Sequence, residues 1–223
     1  MIQLVNRFLA AFLKIFFYLL YNPLAWCYDG VAALVSLNHW QEWTRSVLPF
    51  LSGERVLELG HGPGHLQVAM HQQGFQVFGL DLSWTMEKQT YRRLEHFTIP
   101  ARLARGRAQQ LPFTANTFDR VVSTFPSEYL FQSQTLSEIY RVLAPGGLLV
   151  VLPVAWIRRG SWIERTLAWV FQITHQAPPQ EDDQWQTHLL SLFQQVGFQV
   201  RAEKIAQPSS EVFLVMASKP NLL

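Results

Sequence analysis

Short apolar runs alternate along this chain with segments of helical periodicity. Val56 to Leu59 is an apolar run, and His65 to Gln73 follows it with a 3.6-residue pattern. Gln76 to Leu80 repeats the arrangement, leading into a predicted helix from Ser83 to about His96 with Ser83 as its N-cap. Ala101 to Ala104 predicts a weak third strand, and Arg120 to Ser123 a fourth. A helix over Ser133 to Leu143 is stopped before Pro145-Gly146-Gly147. Leu148 to Leu152 is apolar throughout, as a strand covered on both faces should be. Asp183 to Val196 predicts a last helix, and Phe198 to Ala202 and Val212 to Ala217 the last strands. Regular alternation of strand and helix predicts an α/β fold.

The N-terminal stretch departs from that rhythm. Gln3, Arg7, Lys14, Tyr18 and Tyr21 fall on one helical face of Met1 to Tyr21, and the remainder is mostly apolar. Three readings stay open: a helix in a membrane interface, a lid on its own domain or a partner, or a span. Lys14 in mid-segment and the early stop at Asn22-Pro23 count against a span, and a signal-peptide cleavage site is missing. Leu24 to Leu51 reads as one or two further helices. Pro49 and Ser52-Gly53 then mark a boundary, giving a helical extension over 1–51 and a core over 52–223. Within the core, about 153–182 is an aromatic insert with Trp156, Trp162 and Trp169 among Arg158, Arg159 and Arg165. It suits a substrate cover or an ordinary amphipathic surface helix.

Composition narrows the classes. Apolar residues make up 49% and charged ones 15%, which excludes a disordered chain. A net charge of +2 gives no reason to expect nucleic acid. The single cysteine, Cys27, excludes an internal disulfide and fits a reducing, cytoplasmic setting, with the inner face of a membrane as the peripheral alternative. No zinc-type Cys/His spacing occurs, so no metal is expected.

The chemistry is concentrated between Arg55 and Leu66, where the first strand runs into Gly60-His61-Gly62-Pro63-Gly64 with Glu58 just before it. Glycine admits positive φ and lets a ligand approach backbone. A dinucleotide turn would space its glycines as Gly-x-Gly-x-x-Gly to admit a pyrophosphate. Here the third glycine arrives one residue early, and Glu58 would repel an anion but suit a cation. Further on come Asp81-Leu82-Ser83 with Met86, then Gly106-Arg107-Ala108-Gln109-Gln110-Leu111-Pro112-Phe113. Phe118-Asp119-Arg120-Val121-Val122-Ser123 and Arg141-Val142-Leu143-Ala144-Pro145-Gly146-Gly147 follow. In that order these motifs resemble the class I S-adenosylmethionine (SAM)-dependent methyltransferases, most of all the small-molecule and quinone-biosynthesis subgroup (methyltransferase type 11).

The resemblance implies a Rossmann-like, seven-stranded, mostly parallel sheet in the order 3-2-1-4-5-7-6. Its last strand is antiparallel and helices lie on both faces. It implies SAM as cofactor. Gly60, His61, Gly62 and Gly64 would meet its methionine portion, Glu58 its ammonium, and Asp81 its ribose hydroxyls. Leu82, Ala108 and Gln109 would lie at the adenine, and Thr124 near the transferring methyl. Glu128 is the candidate general base; it is equally the first acid of a helix, favoured by the dipole. The chain departs from the pattern at Arg107, where the family carries Asp. Arg107 can donate but not accept a hydrogen bond, so either Gln109 supplies the acceptor or the loop sits differently. The expected function is methyl transfer to a small lipophilic acceptor at a membrane surface, with residues 1–21 as the membrane contact and no nucleic-acid partner. The alternative is a methyltransferase fold that has lost catalysis and serves as a binding module. The sequence is silent on oligomeric state.

Overall fold

A computed structural model describes residues 39–157 and 183–221. The expectations for Met1 to Tyr21, for most of Leu24 to Leu51, and for the greater part of the 153–182 insert lie outside those residues. The described chain opens with α1 (Trp40–Arg45) and a 3-10 turn at Leu48–Phe50. Then come β1 (Arg55–Leu59), α2 (His65–Gln72), β2 (Gln76–Asp81), α3 (Trp84–His96) and β3 (Leu103–Arg105). After β4 (Phe118–Thr124) and a 3-10 turn at Glu128–Phe131 come α4 (Ser133–Val142), β5 (Leu143–Ile157), α5 (Asp183–Gln195), β6 (Gln199–Ala206) and β7 (Ser210–Ser218).

The strands form one seven-stranded sheet in the order β3-β2-β1-β4-β5-β7-β6, the order the resemblance implied. From β3 to β5 every pairing is parallel, and β7 runs antiparallel to both β5 and β6. Parallel strands joined by helices must bury both sheet faces. Alternate residues accordingly divide between two cores. Leu57, Leu59, Val121, Val151 and Phe213 enter one. Val56, Val122, Val150, Leu152 and Leu214 enter the other. Trp43 of α1 joins the second core and donates its indole N–H to Ser210 Oγ at 2.8 Å. That bond ties the helix before the sheet to the sheet's last strand.

Ser83 does cap α3, its Oγ accepting from Met86 N–H at 3.3 Å. Some expected boundaries are corrected. Strand three lies at Leu103–Arg105 rather than Ala101 to Ala104, because its register is set by Gly79 to Asp81 of β2. Strand five begins at Leu143 and runs to Ile157, with Pro145-Gly146-Gly147 carried inside it. There Leu143 pairs with Phe118 and Leu148 with Arg120, so the intervening residues bulge out. Gly146 takes a φ of 73° in that bulge. The last two strands are also longer than the apolar pattern alone predicts.

Candidate functional site

The glycine turn leaves the carboxyl end of β1, in the central part of the sheet where α/β folds bind ligands. Gly60, Gly62 and Gly64 have φ of 70°, 52° and 84°. Three left-handed residues on alternate positions curl the backbone tightly, which side chains would resist. Open space lies over Gly62, where a Cβ would meet nothing within 4 Å. Gly64 is the reverse: a Cβ there would stand 2.6 Å from Thr90 Cγ2 of α3. The turn therefore has one face toward space and another pressed against α3.

Asp81, at the end of β2, closes the turn from the side. Its Oδ2 accepts from Gly62 N–H at 3.0 Å and its Oδ1 from Ser83 N–H at 2.8 Å. A second tie lies beneath. Thr90 O–H donates to Gly62 C=O at 2.6 Å, and His61 Nδ1 lies 2.9 Å from the same oxygen and 3.1 Å from Thr90 Oγ1. A carbonyl only accepts, so a bond from His61 to Gly62 C=O requires the tautomer with its proton on Nδ1. The imidazole is 4% exposed, and burial holds its pKa below the ordinary value although the Asp81 charge works the other way. Arg93 also donates to Pro63 C=O. The turn is thus gripped by β2 and α3 through hydrogen bonds to its own backbone.

Glu58 is 2% exposed. Gln67 of α2 donates its amide N–H to Glu58 Oε2 at 2.7 Å. Burial raises the carboxyl to a pKa of about 8, the Gln67 bond opposes that rise, and the Asp81 charge adds to it. Gly79 of β2 pairs with Glu58, and its missing side chain leaves room for the His61 ring and the Gln67 amide. Both Glu58 and His61 are therefore buried side chains held among β2, α2 and α3.

The remaining expected residues are spread around the same end of the sheet. Leu82 follows Asp81 and is 66% exposed, whereas Ala108 is buried. Gln109 donates its side-chain N–H to Gln132 Oε1 at 2.7 Å, joining the loop after β3 to the start of α4. Arg107 is exposed beside it. Thr124 is the last residue of β4, paired with Leu152. Glu128 is exposed at the start of the 3-10 turn. The next residue, Tyr129, packs its ring on the core, and its hydroxyl stands 2.7 Å from where a Cβ of Gly60 would be. Phe125 makes the bend between, with φ 49° and its ring stacked at 4.4 Å on Trp40. A bulky residue in that region is strained and needs such support.

Sequence reasoning did not single out Gln67, Thr90 or Tyr129 as neighbours of the turn. Gln67 had a signal: an amide inside the apolar run Leu66 to Met70 is a polar group at a buried position. Thr90 had none, because only tertiary packing brings α3 against Gly64.

The arrangement leaves room for a ligand over the turn, beside the Asp81 carboxyl. It offers a bend with an open face at Gly62, an acid at the end of β2 and a second, buried acid, and a Gly62 Cβ would fill that face.

A family described as a methyltransferase domain matches residues 56–147. A demethylmenaquinone methyltransferase of Lactiplantibacillus plantarum is 37% identical over 142 residues, 60% of this chain and 60% of the relative. That of Symbiobacterium thermophilum is 32% identical over 142 residues, 60% of this chain and 57% of the relative. The chain thus spans about 60% of the length of these curated relatives. Among solved structures, a SAM-dependent methyltransferase of Methanosarcina mazei superposes with a TM-score of 0.54 at 18% identity, covering 79% of this chain and 98% of that one. The phosphoethanolamine N-methyltransferase 2 of Haemonchus contortus, in complex with S-adenosyl-L-methionine, gives 0.55 at 20%, covering 81% and 52%. At such identities the likeness establishes the fold alone, and the [4+2]-cyclase SpnF shares it with a TM-score of 0.58 at 17% identity, covering 82% of this chain and 81% of that one. With sequence agreement across the glycine turn and the reversed β7 both in hand, residues 56–147 match a methyltransferase domain, and the chain is similar to the class I S-adenosylmethionine-dependent methyltransferases.

Proposed function

We propose that this chain transfers the methyl group of SAM to a small, lipophilic acceptor of the quinol class, working at a membrane surface through residues 1–21. The observation that carries the proposal is the glycine turn clasped by Asp81, open over Gly62. The acceptor class is supported by relatives whose names specify demethylmenaquinone. The membrane contact is supported by the basic amphipathic pattern of Met1 to Tyr21. Among the described residues, no helix is long and apolar enough to cross a membrane.

SAM, when bound, supplies a methyl already activated on a sulfonium. The protein's contribution is alignment, which is worth on the order of 7–11 kcal/mol in favourable cases. The backbone at Gly60, His61, Gly62 and Gly64 would hold the methionine portion. Asp81 keeps the Gly62 and Ser83 amides in place and would accept from the ribose hydroxyls. Leu82, Ala108 and Gln109 would border the adenine. Thr124 would border the methyl, and Glu128 would take the proton that the acceptor loses when its new bond to carbon forms.

Asp81→Ala is the test of the cofactor site. Calorimetry should show the dissociation constant for SAM rising at least tenfold, and an unchanged value sinks the assignment. The acceptor class is tested by incubating the full chain with labelled SAM and a demethylated quinol; a chain that binds SAM but labels none of a quinol panel removes that part.

A further inference from the structure

Among the described residues, the exposed large apolar side chains are Leu82, Trp84, Tyr91 and Phe97, all on or beside α3. Leu82 is already assigned to the donor site, and Phe97 falls on the opposite side of the helical wheel from Trp84. That leaves Trp84 and Tyr91, on one outward face of α3 with Lys88 between them. Met86, Thr90 and Leu94 make the buried face. Arg92 is exposed beside Tyr91, and the Arg105 guanidinium of β3 stands 5.6 Å from the Trp84 ring centre. Two acids share the helix: partly buried Glu87, whose charge acts on His61, and exposed Glu95, one turn past Tyr91. An exposed aromatic pair ringed by cations marks a contact surface rather than an ordinary helix exterior.

The chemistry matches the boundary between acyl chains and anionic headgroups. Trp and Tyr carry an apolar body and a polar tip and rest at that level, while Lys and Arg reach the phosphates. A single-stranded nucleic acid also offers phosphates, but it needs a groove and ring faces on which bases stack. Here Arg105 already lies over the Trp84 ring, and the surface is the outside of a helix. The position fits as well. Helix α1 touches α2 and α2 touches α3, so the three form a row. The chain before His39, which includes the basic amphipathic stretch Met1 to Tyr21, joins the protein at one end of that row, and α3 is the other end.

We propose that the outward face of α3 is a second lipid contact: Trp84 and Tyr91 seat in the headgroup layer of an anionic bilayer, and Lys88, Arg92 and Arg105 pair with lipid phosphates. This deepens the membrane reading of residues 1–21 and rests on it. So small a face does not hold a protein alone; stable attachment takes two signals, and the N-terminal stretch is the first. Trp84 opens α3 directly after the Asp81-Leu82-Ser83 run that clasps the glycine turn. The contact therefore keeps that turn close to the surface in which a lipophilic acceptor dissolves.

The experiment uses the full chain and vesicles of phosphatidylglycerol in phosphatidylcholine. Lys88→Gln, Arg92→Gln and Arg105→Gln combined should lower vesicle affinity at least tenfold in flotation, and added salt should narrow that gap. SAM affinity should stay the same, which shows that the variant is folded. A dye reads the contact directly and carries the test should that variant fail to fold. On a Cys27→Ser background, Tyr91→Cys labelled with an environment-sensitive dye should shift to the blue when vesicles are added. The same dye on Ser137→Cys, exposed on α4, should not shift. Vesicle binding by the full chain with no shift from the dye on α3, or with no loss in the folded charge variant, overturns this proposal and leaves the membrane reading standing. Absence of vesicle binding by the full chain removes both. A charge variant that keeps its vesicle affinity but loses binding to a single-stranded oligonucleotide overturns the lipid assignment in favour of nucleic acid.

Discussion

Gly62 and Gly64 look alike in sequence but do different work. A Cβ on Gly64 would be driven into Thr90, and its φ of 84° is unfavourable for any other residue. Gly64→Ala should therefore cost roughly 2–4 kcal/mol from strain and overpacking together, lowering Tm by roughly 4–16 °C in a calorimetric scan. Gly62→Ala meets open space and should lower Tm by only a few degrees at most. Its SAM affinity should nevertheless fall at least tenfold, because the added methyl stands on the face a ligand must approach. If the two variants lose stability equally, the division of the turn into a packed face and an open one is wrong. Glu58 supplies a second residue-scale prediction, for the ligand-free protein. Its pKa is raised from 4.5 to about 8, so the neutral form is favoured by folding. That contribution is fully present below pH 4.5 and is lost as pH climbs through about 8. Glu58→Gln does not titrate, so its Tm relative to the unmodified chain should rise between pH 5 and pH 9. A difference independent of pH would show that the carboxyl is solvated after all.

At the scale of elements, α1 matters more than its length suggests. Trp43 brings a buried ring and a hydrogen bond to β7, and Trp40 backs the strained Phe125 that bends the chain after β4. Trp43→Ala should cost about 3–5 kcal/mol in urea unfolding, with little change in the slope against denaturant. A cost below about 1 kcal/mol would mean that the helix is an appendage. The apolar runs identified most strands and helices because each had a clear period and a turn residue at its end. They missed the full extent of β5, since a Pro-Gly-Gly run reads as a stop unless a neighbouring strand pairs on either side of it. They also misplaced β3, which is short and held by its pairing with β2 rather than by its own pattern.

For the molecule as a whole, ligand binding and folding should be linked. A ligand at a hundred times its dissociation constant adds about 2.7 kcal/mol, which for a chain of this size means a Tm higher by roughly 5–10 °C. Saturating SAM should produce that shift in the unmodified chain and much less of it in Asp81→Ala. Removing Met1 to Asn22 should abolish flotation with anionic liposomes while leaving the SAM-induced shift intact. Equal flotation of the truncated and full chains would end the membrane proposal.

Sequence by itself determined the α/β alternation, the position of the glycine turn and the acids on either side of it. Backbone permissiveness, strand periodicity and charge are properties of residue type and local spacing, so they can be read along one dimension. What only tertiary structure decided is which groups surround that turn. Thr90, Gln67 and Tyr129 come from three separate elements and meet it because the sheet order sets their helices and loops at one end. Burial, too, is a property of the assembled sheet: Glu58 is an ordinary acid in the chain and becomes a weak one only when two cores close around β1.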